Sequence, residues 1–270
     1  MGCPATMWGN RCTPILINTY AMMRAMIFAA GMGTRLKPLT DYIPKALVPV
    51  GGIPLLDIQI EKLKAAGCQE IVVNIHHFAD LIERHVRSRQ WGANVRLSDE
   101  RTLLLDTGGG LRHAAPLFAG DDDNILLHNV DILSNADLAG LYARGREHDA
   151  VLLVSHRPTQ RYLLFNESLR LVGWTHVGTG EVKTPYAHLD VAACRKYAFA
   201  GIHVFSPRLF KEMSAWPERF SIVDFYLSVC HLYDIYGCPD ADLRLLDVGK
   251  QDTLRQAEAF MQAGVDKNAE

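Results

Sequence analysis

The chain has 270 residues, 28 of them Lys or Arg against 30 Asp or Glu, and 49% are hydrophobic. A formal charge of −2 argues against a protein that grips nucleic acid through its phosphates, which takes a basic excess. No apolar run approaches the ~20 residues that cross a bilayer, which excludes a conventional spanning helix, and a chain of this length builds its core without disulfides or structural metal. The cysteines, Cys3, Cys12, Cys68, Cys194, Cys230 and Cys238, form no C-x-x-C pair or zinc spacing. They read as reduced thiols of a cytoplasmic protein.

Residues 1–22 mix Gly, Pro, Asn and Thr around one short apolar stretch and lack the charged start and long apolar centre of a signal peptide. They read as an N-terminal extension, a disordered tail or the product of an upstream start site. Residues 265–270 read as a second tail, and 23–264 as one domain. Ala25 to Ala30 is a compact apolar run closed by Gly31, the pattern of a strand covered on both faces. Pro54 then opens a helix whose stripe is Leu55, Leu56, Ile58, Ile60 and Leu63, with Gly67 as its stop. Glu70 to Ile75 is a second strand, Ala79 to Arg89 a second helix, and Ala93 to Leu97 a third strand. Asn124 to Val130 is a fourth strand, followed by a helix from Asp137 to Glu147 and a fifth strand from Ala150 to Ser155. Strands separated by such helices imply a parallel sheet with helices on both faces.

After residue 156 the rhythm shortens. Tyr162–Phe165 and Leu169–Trp174 suit antiparallel additions, and Tyr197 to Phe205 returns to the buried type. Helices at Pro207–Ala215 and Ile222–Tyr233, a strand at Leu243–Val248 and a helix at Gln251–Ala263 complete the chain. Ser221 is placed to cap the helix at 222, and Asp224 suits the positive end of its dipole. The spacing of Phe225, Val229, Leu232 and Tyr236 predicts a core stripe.

Three features carry chemistry. Gly31-Met32-Gly33-Thr34-Arg35-Leu36-Lys37-Pro38 follows the first strand, where open α/β sheets bind ligands. It lacks the third glycine of a dinucleotide fingerprint, and no phosphate-loop motif occurs in the chain. Arg35, Lys37 and Lys45, stiffened by prolines, suit a triphosphate. Asp131 and Asp247 each end an apolar run. Should they meet across the sheet, they would form a carboxylate pair suited to Mg2+. Thr107-Gly108-Gly109-Gly110 reads as a second glycine loop with its backbone flat against a base or ribose. The eleven histidines form no H-E-x-x-H motif or cluster, so His76, His77 and His128 read as loop or packing residues.

The run Phe28 to Thr40, with Pro44-Lys45-Ala46-Leu47-Val48-Pro49-Val50, resembles the signature of sugar-1-phosphate nucleotidyltransferases. The resemblance continues through Thr107–Gly110, Asn129-Val130-Asp131, Phe199–Ile202 and Asp247-Val248-Gly249, and so spans Met23 to about Gly264. It is nearest to short bacterial N-acetylmuramate-1-phosphate uridylyltransferases and mannose-1-phosphate guanylyltransferases. It implies a Rossmann-like, GT-A-like α/β fold with a mixed, mostly parallel central sheet, and the reaction of an NTP, UTP or GTP, with a sugar 1-phosphate to an NDP-sugar and pyrophosphate.

By position the resemblance places Gly31, Gly33, Thr34 and Arg35 around the triphosphate and Lys45 on phosphate. Gly108 and Gly109 fall near the nucleobase, Asn129 near the nucleoside and Gly201 near the sugar. Asp131 and Asp247 fall on Mg2+. Val130 stands where relatives often have Gly, and Val182-Lys183-Thr184-Pro185 where many carry Glu-Lys-Pro. The implied roles are Arg35 neutralising the departing pyrophosphate and Lys45 steadying phosphates during attack; the nucleophile is already ionised and needs no general base. Neither nucleic acid nor membrane is an implied partner. A non-catalytic nucleotide-sugar-binding regulator on the same fold is the rival reading; it would not need to keep both carboxylates.

Overall fold

The structure is a computed structural model that describes residues 22–120 and 122–265. Residues 1–21 and 266–270, which hold the expected N-terminal extension and most of the tail, lie outside the described residues. In chain order the elements begin with β1 (Met23–Phe28), β2 (Pro49–Val50), β3 (Ile53–Pro54), α1 (Leu55–Ala65), β4 (Cys68–Ile75) and α2 (Ala79–Arg87). Next come β5 (Asn94–Asp99), α3 (Asp106–Ala114), β6 (Ile125–Asn129), β7 (Ile132–Ser134), α4 (Leu138–Arg144) and β8 (Ala150–Ser155). The C-terminal part holds β9 (Arg161–Phe165), β10 (Leu171–His176), β11 (Glu181–Lys183), β12 (Arg195–Phe205), α5 (Phe210–Met213) and α6 (Ile222–Val229). It ends with β13 (Ile235–Pro239), β14 (Leu245–Asp247) and α7 (Gln251–Val265).

Among the described residues, ten strands form one sheet in the order β11-β10-β9-β12-β6-β1-β4-β5, with β8 joining β12 to β13. β6, β1, β4 and β5 run parallel, and so do β8 and β13. β12 is antiparallel to β6, β8 and β9, and β9, β10 and β11 continue the antiparallel half. The mixed sheet is thus parallel where strands alternate with helices, β13 after α6 included, and antiparallel across β9 to β12, where β9, β10 and β11 are joined by short connections.

β1 explains the layering. Ala25 and Ile27 join one apolar cluster, with Leu55, Leu56, Ile60 and Leu63 of α1, Ile82 and Val86 of α2, and Leu138 and Leu141 of α4. Met26 and Phe28 face the other cluster, with Leu111 of α3 and Ile222, Phe225 and Tyr226 of α6. A strand buried on both faces can carry no polar alternation, and each buried Leu- or Phe-sized side chain contributes roughly 1.5–3 kcal/mol. Pro54 precedes the first residue of α1, and the chain leaves that helix through Gly67 at φ 105°. Asp137 caps α4 by accepting from the Gly140 amide at 2.9 Å, and Ser221 caps α6 by accepting from the Val223 amide at 3.2 Å.

Four expectations change. The helix expected over 207–215 is a short 3-10 turn followed by α5, and α6 ends at Val229 rather than Tyr233. Phe225 and Val229 are core residues, but Leu232 is 67% exposed and Tyr236 lies on β13, so the four do not form one helical stripe. The expected glycine loop at 107–110 is helical: Gly108, Gly109 and Gly110 are buried inside α3. Among the described residues no helix is long and apolar enough to cross a membrane, and Cys68, Cys194, Cys230 and Cys238 are free.

Candidate active site

The carboxyl ends of β1, β4, β5 and β6 open onto a cavity of about 330 Å³. Phe28, Ala29, Ala30 and Gly31 line it from the exit of β1, and Asn129, Val130 and Asp131 from the exit of β6. Asn74 at the end of β4 ties the first wall down: its Oδ1 accepts from the Ala29 amide at 2.7 Å and its Nδ2 donates to Glu100 Oε1 at 2.7 Å. Glu100 is 2% exposed, and burial raises its carboxyl above the usual range, against the opposing hydrogen bonds from Asn74 and Leu105.

The glycine loop turns sharply at Gly33, whose φ is 64°. A Cβ there would stand 2.8 Å from Thr40 Cγ2, and the Thr40 hydroxyl donates to the Gly33 carbonyl at 2.8 Å. Thr34 and Arg35 begin the 3-10 turn Thr34–Leu36; Leu36 is buried as its anchor, which leaves the rest of the loop facing solvent. Lys45, first residue of the 3-10 turn Lys45–Leu47, brings its Nζ into the cavity.

Asp131 and Asp247 meet. Their segments form a two-stranded antiparallel ribbon, β7 with β14, separate from the main sheet. Asp247 pairs with Ile132, and the Val248 amide donates to the Asp131 carbonyl at 2.8 Å. Lys45 Nζ is ion-paired with Asp131, both side chains being largely buried, and Arg35 Nη2 lies 3.7 Å from Asp247 Oδ2. Burial first, and then the negative charge of Asp131, push the Asp247 carboxyl above its usual range; Lys45 and Arg35 oppose the rise. Asp247 Oδ1 is a buried oxygen without a hydrogen-bond partner. Two carboxylates in mutual repulsion, one with an orphaned oxygen, suit a hard divalent cation that shares its remaining positions with phosphate and water.

Gly201 sits in β12 at the irregularity between Phe199 and His203, at φ 74°. A Cβ there would lie 2.6 Å from Asn129 Nδ2, so the glycine lets β12 pass close beside the end of β6. Gly108 and Gly109 do not line the cavity. Their amides donate to the Phe220 carbonyl at 2.9 and 3.2 Å, and a Cβ at either would strike the Phe220 ring or the Glu218 carbonyl. These glycines pack α3 against residues 217–221, the strap between α5 and α6, and the wall beside them is built by Asp106 and Thr107 instead. Arg219, on the strap, also lines the cavity, and no motif marked it.

A second cavity of about 540 Å³ lies over the antiparallel half, lined among others by Arg157, Arg161, Trp174, Lys183, Phe199 and Asp224. It abuts the first across the strap, where Arg219 faces one cavity and Ser221 the other. Lys183 Nζ bonds Asp224 at 3.0 Å and stands over the Trp174 ring. Asp224 thus faces this cavity as well as the helix dipole. Arg157 lies in the connection after β8 and Arg161 opens β9, positions that carry no signal in a single sequence.

The family profile described as Nucleotidyl transferase matches residues 24–166. An N-acetylmuramate alpha-1-phosphate uridylyltransferase of Caulobacter vibrioides is 44% identical over 115 residues, 39% of this chain and 48% of that protein. The enzyme of the same name from Neisseria meningitidis serogroup B is 31% identical over 194 residues, 72% of this chain and 79% of that protein. The crystal structure of HddC from Yersinia pseudotuberculosis complexed with GMP-PN superposes with a TM-score of 0.70 at 19% identity, over 89% of this chain and 100% of that one, a likeness of fold. By sequence the chain belongs to the nucleotidyl transferase family, among the sugar-1-phosphate nucleotidyltransferases.

Proposed function

We propose that the protein joins an NTP to a sugar 1-phosphate and releases pyrophosphate, with UTP as the nucleotide and an acidic sugar of the N-acetylmuramate kind as acceptor. The observation that carries this reading is the meeting of Asp131 and Asp247 beside Lys45 and Arg35 at the carboxyl end of β6. Both reactants are polyanions, and two unit charges ~4 Å apart repel by about 4 kcal/mol at an effective dielectric near 20. A sugar phosphate oxygen attacks the α-phosphorus, a new P–O bond forms, and the bond to the β-phosphate oxygen breaks as pyrophosphate leaves. No proton moves at the start, so the work is neutralisation and alignment.

Asp131 and Asp247 would hold Mg2+, which supplies charge neutralisation at the phosphates. Lys45 passes from Asp131 to a phosphate oxygen as the nucleotide binds, and Arg35 stands at the open side of the carboxylate pair for the departing pyrophosphate. Gly31, Gly33 and Thr34 present backbone to the triphosphate, while Asn129, Asp106 and Thr107 border the nucleoside. The nucleobase contact assigned to Gly108 and Gly109 is not kept, because their amides are already satisfied by Phe220.

The acceptor occupies the cavity over the antiparallel half, whose wall includes Phe199, two residues before Gly201 on β12. Lys183 and Asp224 already pair with each other; Arg157 instead donates to the Phe199 carbonyl. Arg157 and Arg161 therefore offer charge to a second anionic group on the sugar. The names of the two uridylyltransferase relatives agree with that choice. Pyrophosphate release with Mg2+, UTP or GTP and a panel of sugar 1-phosphates tests the reading. Turnover with UTP and N-acetylmuramate 1-phosphate is expected. Turnover confined to GTP and mannose 1-phosphate transfers the assignment to a guanylyltransferase, and nucleotide-sugar binding without turnover of any pair leaves a regulator.

A further inference from the structure

The ribbon that carries both aspartates has only three residue pairs of its own, Leu245 with Ser134, Leu246 with Leu133 and Asp247 with Ile132. It is fastened from the side by α1. Gln59, fully buried on that helix, donates Nε2 to the Ile132 carbonyl at 2.8 Å and to the Val130 carbonyl at 3.4 Å. Three residues further, on the same helix face, Lys62 donates Nζ to the Ser134 carbonyl at 2.6 Å and to the Ser134 hydroxyl at 2.7 Å. The two side chains therefore hold the carbonyls at 130, 132 and 134, the alternate carbonyls that flank Asp131. Both hydrogen bonds of Lys62 go to Ser134 rather than to a carboxylate. Burial lowers its ammonium to about 8, a cost that a solvent-facing lysine would not bear.

The same helix is coupled to the cationic side of the site. The Leu55 amide at its start donates to the Val48 carbonyl at 3.0 Å, and Val48 directly follows the 3-10 turn that begins with Lys45. α1 thus joins the turn bearing the cation to the ribbon bearing the anions. A small hard cation tolerates little error in the placement of its donors, and two carboxylates that repel each other will separate unless the backbone beneath them is held.

We propose that Gln59 and Lys62 are positioning residues that set the separation of the Asp131 and Asp247 carboxylates from each other and from Lys45, and through it the affinity of that pair for a divalent cation. This rests on the metal-binding reading of the two aspartates. Neither side chain touches the cation or substrate; each acts on the backbone of the ribbon. Loss of such a support lowers metal affinity by roughly 10–100-fold in other metal sites.

The test uses the full chain with Lys62→Met, Gln59→Leu and Lys62→Arg, beside Asp131→Asn and Asp247→Asn. Mn2+ binding is read by electron paramagnetic resonance with UTP present, together with the Mg2+ concentration for half-maximal pyrophosphate release, KM for UTP and the melting temperature. Lys62→Met and Gln59→Leu are expected to weaken Mn2+ and raise the half-saturating Mg2+ by about tenfold, with KM for UTP at saturating Mg2+ within about twofold. Lys62→Arg, which keeps a donor to Ser134, is expected to recover most of the affinity. Wild-type Mn2+ affinity in both Lys62→Met and Gln59→Leu overturns the inference, as does an Arg variant no better than Met. Should Lys62→Met fail to fold, Gln59→Leu alone decides. Unchanged Mn2+ affinity in both Asp→Asn variants overturns the metal reading itself, a failure seen separately from that of the support.

Discussion

The two halves of the sheet hold their functional groups in different ways. In the parallel half, chemistry sits at strand ends: the glycine loop after β1, Asn74 at the end of β4, Asn129 and Asp131 at the exit of β6. These positions depend on backbone geometry and on carboxylates held where the chain changes direction. In the antiparallel half, Arg161, Trp174 and Lys183 project from strand faces into the second cavity. A strand face can exchange side chains without disturbing the turns. In the proposed reaction the reacting charges therefore stand on the parts of the fold that tolerate little change, and acceptor choice on the parts that tolerate much.

The largest expected effect breaks the parallel half. Asp131→Asn should lower kcat for pyrophosphate release by roughly 10²–10³, the scale of a lost transition-state contact, while circular dichroism melting stays close to wild type, since the Asn oxygen still accepts from Lys45 and Asp247 keeps a negative charge beside it. Lys45→Ala should produce a loss of similar size and also lower the melting temperature, since it leaves Asp131, largely buried, without its cation. Wild-type kcat in either variant would make the strand-end charges bystanders.

Gly108→Ala sharpens the comparison by separating packing from binding. Its methyl group would run into the Phe220 ring, a kind of overpacking that costs about 1–3 kcal/mol. Urea unfolding should reveal that loss, whereas KM for the nucleotide should stay within about twofold. The reverse pattern would restore the nucleobase contact expected from the sequence.

A stability effect with a defined sign comes from the buried histidines. Burial first, and then Lys62, lowers His128 to about 3; burial first, and then His128, lowers His203 to about 3. Both rings are neutral in the fold, while the unfolded chain takes up protons below about 6.5. The histidine contribution to stability is therefore complete above about pH 6.5 and is lost as pH falls from there toward 3, at about 1.4 kcal/mol per pH unit for each histidine. Urea unfolding at pH 6.5, 5.5 and 4.5 should follow that slope, and His203→Phe should reduce it by about half. A slope unchanged by the substitution would remove His203 from the account.

The smallest effect tests the antiparallel half. Arg157→Ala or Arg161→Ala should raise KM for an acidic sugar 1-phosphate about tenfold, equivalent to about 1.4 kcal/mol, and leave KM for UTP within about twofold. Equal losses for acidic and neutral sugars would show that the arginines hold the shared phosphate.

Legibility in the sequence followed the same division. The strand Ala150–Ser155 is read to the residue, because an apolar run holding Val151 and Val154, too short for a helix, stands between the polar flanks Asp149 and His156. α6 ends four residues early, since Leu232 carries helical spacing but faces solvent. The glycines at 108–110 misled for a physical reason. Glycine marks close approach of backbone, and one chain of letters cannot say whether the approaching partner is a ligand or, as here, Phe220, Glu218 and Glu100. Arg219, Arg157 and Arg161 left no mark, because an isolated arginine is most often a solvated side chain.

By itself the sequence determined most of the succession of strands and helices, though not β13, the short β2, β3, β7 and β11 or the helical state of 107–110, together with the two-sided burial of β1 and the presence of glycines, cations and carboxylates at strand ends. Hydrophobic period and turn chemistry are local properties and can be read locally. Only the tertiary structure decided that Asp131 and Asp247, 116 residues apart by their numbers (247 − 131), share one ribbon, and that α1 holds the backbone beneath them. Long-range pairing depends on which faces find each other in space, and no local pattern along the chain records it.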